Sequence, residues 1–173
     1  MNIPQIVFQT SSRWFVVNKP RGWALAKRST SAEASLEGYM SNLVTDNSKL
    51  YFPQEMDTRI CGLAIVCTDR GMQSQFERFK TQNNIEYTYR VVLESHAEVT
   101  DTESDTLRVT INETFTNEVD VDVWSSVFLT SRAIQDLFQH EIMYHSITLH
   151  RLKFPDPLNP RLNDISVSIP RNS

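Results

Sequence analysis

The feature that most constrains this chain is the shortness of its apolar runs. The longest, Trp14 to Val17 and Leu63 to Cys67, have the length of β-strands and fall far short of the roughly 20 residues a membrane span requires. Such a chain must bury short strands against each other and against amphipathic helices, and no membrane partner is expected. With 173 residues, 40% of them hydrophobic and 22% charged, there is enough apolar surface for one globular domain over 1–173, and too little chain for two comfortable ones. Met1 to Thr10 lacks a basic segment followed by an apolar stretch and a small-residue cleavage site. Secretion is therefore not expected, and an intracellular site, cytoplasmic or mitochondrial, is. Cys61 and Cys67 both sit in an apolar run and read as buried, reduced thiols rather than a disulfide or metal pair.

The pattern along the chain fixes the order of elements. Ile6-Val7-Phe8 and Trp14-Phe15-Val16-Val17 flank a polar turn and predict a β-hairpin, closed by a turn at Pro20 and Gly22. Small polar residues from Ser29 to Ser35 can cap a helix in which Leu36, Tyr39, Met40, Leu43 and Val44 recur at helical spacing, ending near Asp46-Asn47. A loop around Asp57 precedes the strand Leu63 to Cys67. Met72, Phe76 and Phe79 predict a second amphipathic helix that stops at Asn83-Asn84. Tyr87, Tyr89 and Val91 alternate with Glu86, Thr88 and Arg90, the signature of a half-buried strand. A polar stretch from His96 to Asp105 leads to β-like pieces at Leu107 to Ile111 and Val119 to Val123, and Arg132 to Phe138 reads as a short helix or turn. Strands at Ser146 to Phe154 and Ile165 to Ile169, joined by a proline-rich turn, close the chain. Strands outnumber helices without regular alternation. The expected fold is α+β, with a mixed, largely antiparallel sheet and a few flanking helices.

Charge is unevenly spread. The net charge is −4, yet Glu94 to Trp124 holds nine acids against Arg108, which leaves the remainder at +4. The first thirty residues carry Arg13, Lys19, Arg21, Lys27 and Arg28 and no acid. A basic face suited to phosphates can therefore coexist with an acidic flank. His140, His145 and His150 are five residues apart, a spacing that turns successive side chains to different sides of a helix or strand, so no metal site is expected.

The order of these pieces resembles the RluA/RsuA-type RNA pseudouridine synthase family, in a shortened and divergent form. Val16-Val17-Asn18-Lys19-Pro20-Arg21-Gly22 is similar to the family's opening strand running into Asn-Lys-Pro-x-Gly. Gln54-Glu55-Met56-Asp57, with Gly62 five positions after the aspartate and an apolar strand behind it, resembles the family's His-Arg-Leu-Asp loop. Tyr87-Thr88-Tyr89 matches its Lys-x-Tyr strand, and the segment from Leu149 to Pro157 with the later Ile169-Pro170 looks like its final hairpin. There are departures. Glu55 stands where the family has arginine, Tyr87 where it has lysine, and the third motif traces onto Arg132-Ala133-Ile134-Gln135-Asp136-Leu137 with Leu137 in place of the arginine that pairs with the aspartate. The family's Gly-Asp-x-x-Tyr element is largely absent.

The resemblance implies isomerisation of uridine to pseudouridine in structured rRNA or tRNA, with Asp57 as nucleophile, Tyr89 stacking on the target base, and no metal or cofactor. Lys19, Arg21, Lys27 and Arg28 are candidate phosphate contacts. The cation that should hold Asp57 ionised is missing from its matched place, Glu55 adds a like charge nearby, and Arg59 or Arg132 is the candidate substitute, each also a candidate RNA contact. Two rival readings stay open. One is a catalytically inactive descendant that serves as an RNA-binding or ribosome-associated module, and the other is a protein-interaction subunit suggested by the acidic balance. Outside any assembly a monomer is expected.

Overall fold

A computed structural model describes residues 3–27, 34–41, 49–93, 97–101, 107–111 and 144–169. Arg28, Arg132, the strand expected at Val119 to Val123, the short helix at Arg132 to Phe138 and the last turns of the first helix lie outside the described residues. The elements are β1 (Gln5–Phe8), β2 (Trp14–Lys19), α1 (Leu36–Met40), β3 (Ile60–Cys67), α2 (Arg70–Thr81), β4 (Glu86–Leu93), β5 (Ala97–Asp101), β6 (Leu107–Ile111), β7 (Tyr144–Pro155) and β8 (Asp164–Ser168). Six strands form one sheet in the order β1-β2-β3-β7-β4, with β8 also pairing β7. Among the described residues only β3 and β7 run parallel within it; the other pairs are antiparallel. The fold is α+β with a mixed, largely antiparallel sheet and few helices. β5 and β6 pair with each other in a separate ladder. The sequence from His96 to Asp105 reads as polar loop, but Ala97–Asp101 is a strand, because β6 supplies its hydrogen-bonding partner; its own composition carries little apolar signal.

β2 and β3 are buried on both faces, which is why their sequences are continuous apolar runs with no alternation. On one face Trp14, Val16, Leu63, Ile65, Leu149, Leu152 and Phe154 pack against Met72, Phe76 and Phe79 of α2. On the other, Phe15, Val17, Ala64 and Val66 pack against Leu36 and Met40 of α1 and against Leu25 and Leu50. The centre of the α2-side core is aromatic: the rings of Trp14, Phe76 and Phe154 meet edge to face at 5.4–5.8 Å, a geometry that adds attraction beyond area burial. Phe76→Ala is expected to lower stability by about 3–5 kcal/mol, read as a fall in the urea midpoint. A loss under about 1 kcal/mol would mean that the core collapses around the gap and that this cluster does not join helix to sheet.

The helices begin where short polar side chains can cap them. Ser35 Oγ accepts from the Gly38 N–H at 3.0 Å, and Asp69 Oδ1 accepts from the Met72 N–H at 2.8 Å, each satisfying an orphan donor of the first turn. Asp69 also takes a two-pronged contact from Arg13, at 2.7 and 3.0 Å, tying the β1–β2 turn to the start of α2. The guanidinium holds the Asp69 carboxyl down at about 2. At the other end Asn83 adopts φ +56 and the Asn84 N–H donates to the Phe79 carbonyl at 2.9 Å. A left-handed residue of a type that tolerates it thus closes the helix.

Candidate active site

Asp57 lies in the loop that enters β3, and three features position that loop. First, Gln54 is buried and its amide behaves as a strand residue: Nε2 donates to the Leu63 carbonyl at 3.1 Å and Oε1 accepts from the Ile65 N–H at 2.6 Å. This satisfies β3 beyond the point where its pairing with β7 stops, at Gly62 opposite Leu149. Second, Tyr51 and Cys67 exchange backbone hydrogen bonds at 2.9 Å, extending the same edge. Third, the Gly22 N–H donates to the Thr58 carbonyl at 2.8 Å, fastening the loop to the turn after β2. Within the loop the Ile60 N–H donates to the Asp57 carbonyl at 2.9 Å and the Arg59 N–H to Asp57 Oδ1 at 2.8 Å, so the aspartate side chain closes its own turn.

The cation that the sequence lacks before the aspartate is supplied after it. Arg59 Nε donates to Asp57 Oδ1 at 2.8 Å and Nη2 to Oδ2 at 2.9 Å, the parallel fork that suits guanidinium to carboxylate. Both side chains remain solvent-accessible, 37% for Asp57 and 50% for Arg59. The Arg59 side-chain hydrogen bonds bring the Asp57 carboxyl down to about 2; partial burial opposes this, and the Arg59 N–H and the charges of Arg59 and Lys19 reinforce it. The carboxylate is therefore ionised at neutral pH. Glu55 is exposed to solvent.

Lys19, a candidate phosphate contact in the sequence, has its ammonium turned to backbone acceptors. It is fully buried, 0% exposed, and its ammonium donates to the Trp23 carbonyl at 2.7 Å and the Pro20 carbonyl at 3.2 Å. A buried ammonium needs such acceptors. It organises the turn whose Gly22 N–H holds the Asp57 loop, and its charge adds to the lowering of the Asp57 pKa. Arg21 and Lys27 are exposed, as a phosphate contact must be. Tyr89 is 7% exposed and belongs to the α2-side core with Ile147 and Leu149, its ring stacked on Tyr87 at 6.5 Å and 16°. Burial drives the Tyr87 hydroxyl pKa upward, helped by Tyr89 and Glu77. Cys61 and Cys67 are free thiols, and burial pushes Cys67 up to about 12. One site residue escapes sequence reasoning: Gln54, whose amide reads as loop polarity; Gly62 is legible through its offset from Asp57.

No family model and no curated protein matches this sequence. Solved structures do match. The human protein RNA pseudouridylate synthase domain containing 1 superposes with a TM-score of 0.54 at 11% identity, covering 97% of this chain and 83% of its own. Human RNA pseudouridylate synthase domain containing 4 gives 0.51 at 12%, covering 96% and 89%. At such identities the likeness is one of fold, and it extends over nearly the whole chain. The chain has the fold of the RNA pseudouridylate synthase domain.

Proposed function

We propose that this protein is a pseudouridine-synthase-like isomerase, a single domain acting inside the cell on uridine in structured ribosomal or transfer RNA, with Asp57 as nucleophile. The observation that carries the reading is the Asp57–Arg59 fork at the entrance to β3, in a chain with this fold. The reaction breaks the bond from the ribose to N1 of uracil, turns the base and joins the ribose to C5, while a proton leaves C5 and one is gained at N1. Atoms and electrons balance within the substrate, so no oxidant or metal is required. What the protein must provide is an ionised carboxylate, fixed in direction and reachable by a nucleotide drawn out of its stack. Arg59 and the buried charge of Lys19 keep Asp57 ionised, and its partial exposure leaves it reachable.

One observation favours the second reading, a catalytically silent RNA-binding or ribosome-associated module. Tyr89, the matched stacking residue, is committed to the core, and a base needs an open aromatic face. A transcriptome-wide pseudouridine map decides between them, made in cells lacking the protein and rescued with the wild type or with Asp57→Asn. Loss of one or a few sites, restored by the wild type alone, is the expected result. If no site changes while the protein still co-purifies with RNA, the enzymatic reading fails and the binding module stands.

A further inference from the structure

The part of the sheet formed by β4, β7 and β8 has two unlike faces. Tyr89, Leu152, Phe154 and Val167 point into the α2-side core, so the alternate residues point the other way. These are Thr88 and Arg90 on β4, Thr148 and Arg151 on β7, and Ser166 and Ser168 on β8. The register sets them side by side: Arg90 opposite Thr148, Thr88 opposite Arg151, and Arg151 opposite Ser168. Arg151 Nε donates to Ser166 Oγ at 3.2 Å, which confirms that they share a face. Arg151, Ser166 and Ser168 are exposed, and Arg90 and Thr148 half-buried. The same row reaches β3, where Cys61 Sγ lies 3.1 Å from Thr148 Oγ1, four residues after Asp57. Among the described residues the acids on this face, Glu86 opposite Lys153 and Asp164 opposite Pro155, sit at the end where Lys153 lies.

We infer that Arg90 and Arg151, with the hydroxyls between them, form a track for the sugar–phosphate backbone of the RNA strand that flanks the reacting nucleotide. This rests on the proposed RNA-directed function and adds to it the path of the strand. A chain of net charge −4 has no general attraction for phosphate. Cations gathered on one polar sheet face, in a row that reaches β3 four residues after Asp57, provide it locally. Guanidinium groups suit the role because they bind phosphate oxygens in pairs, and hydroxyls can donate to the same oxygens.

The test measures binding of unfractionated transfer RNA by fluorescence anisotropy over a series of salt concentrations. It compares the wild type, Arg151→Gln, the double variant Arg90→Gln/Arg151→Gln, and a control of equal charge change on the opposite layer, Arg70→Gln/Arg78→Gln on α2. Binding by the double variant is expected to be roughly tenfold weaker at low salt, with a salt slope shallower by about 0.7 for each contact removed. Arg151→Gln should show half of that slope change, and because Arg151 is exposed this variant keeps the test valid if loss of Arg90 unfolds the chain. The α2 control should bind as the wild type does. If the double variant matches the wild type, or if the α2 control weakens binding equally, the track is wrong while the RNA reading stands. If the wild type itself does not bind, the RNA reading fails and the track with it, and an acidic protein becomes the partner to seek.

Discussion

Gly62→Ala is expected to remove more than about 4 kcal/mol of stability, and with it most of the cooperative unfolding transition. Gly62 has φ +114, a conformation that side chains with a Cβ rarely adopt. The space is also taken: a Cβ at this position would lie 2.3 Å from the Leu149 carbonyl oxygen and 2.8 Å from its nitrogen. Those atoms are backbone and cannot swing aside as a side chain could. Relief requires β3 and β7 to separate where they run parallel, just after the Asp57 loop. Set against the 5–15 kcal/mol that holds a typical domain together, the loss leaves little. Urea unfolding followed by tryptophan fluorescence measures it. A variant with an unchanged midpoint would show that β3 and β7 are free to move apart, and that this glycine is not what brings them together.

Legibility in the sequence divides along physical lines. β2 and β3 are readable as continuous apolar runs of strand length, β4 by its alternation, and Phe76 and Phe79 signal α2 at helical spacing without reference to any partner. β5 is not readable, since its stability comes from pairing with β6. At the site the aspartate could be singled out, but its surroundings could not. Arg59 reaches Asp57 because the loop turns tightly enough for residue i+2 to come back on residue i, and loops have no periodicity to announce such a turn. Lys19 reads as a solvent-facing cation because lysines usually are. Its burial depends on the Pro20 and Trp23 carbonyls, which converge only once the turn has formed. Gln54 is a similar case, a polar loop residue until the unpaired edge of β3 lies beside it.

On the proposed function, Arg59→Gln should reduce pseudouridine formation about a hundredfold, the scale of loss that follows when a reacting group is misplaced by about an ångström, while leaving the fold intact. The pair is half-exposed and contributes little to stability. Its consequence for the reaction lies in the direction of the Asp57 carboxylate, and for titration in its midpoint. The sign of the pH effect follows from the lowered pKa of about 2. Whatever stability the pair adds is fully present above the unfolded carboxyl value of about 3.9 and is lost as pH falls through about 2. Removing the guanidinium returns the Asp57 midpoint toward about 3.9, a shift that carbon-detected NMR of the side-chain carboxyl can follow. At neutral pH the carboxylate is ionised in both proteins, so a loss of rate there reports orientation, not charge. Arg59→Lys separates the two further: it keeps the positive charge and loses the fork, so the midpoint should stay below the ordinary range while the rate remains low. A glutamine variant with wild-type rate and an unmoved carboxyl midpoint would show that Arg59 is a bystander, and that the cation serving Asp57 must come from another part of the chain.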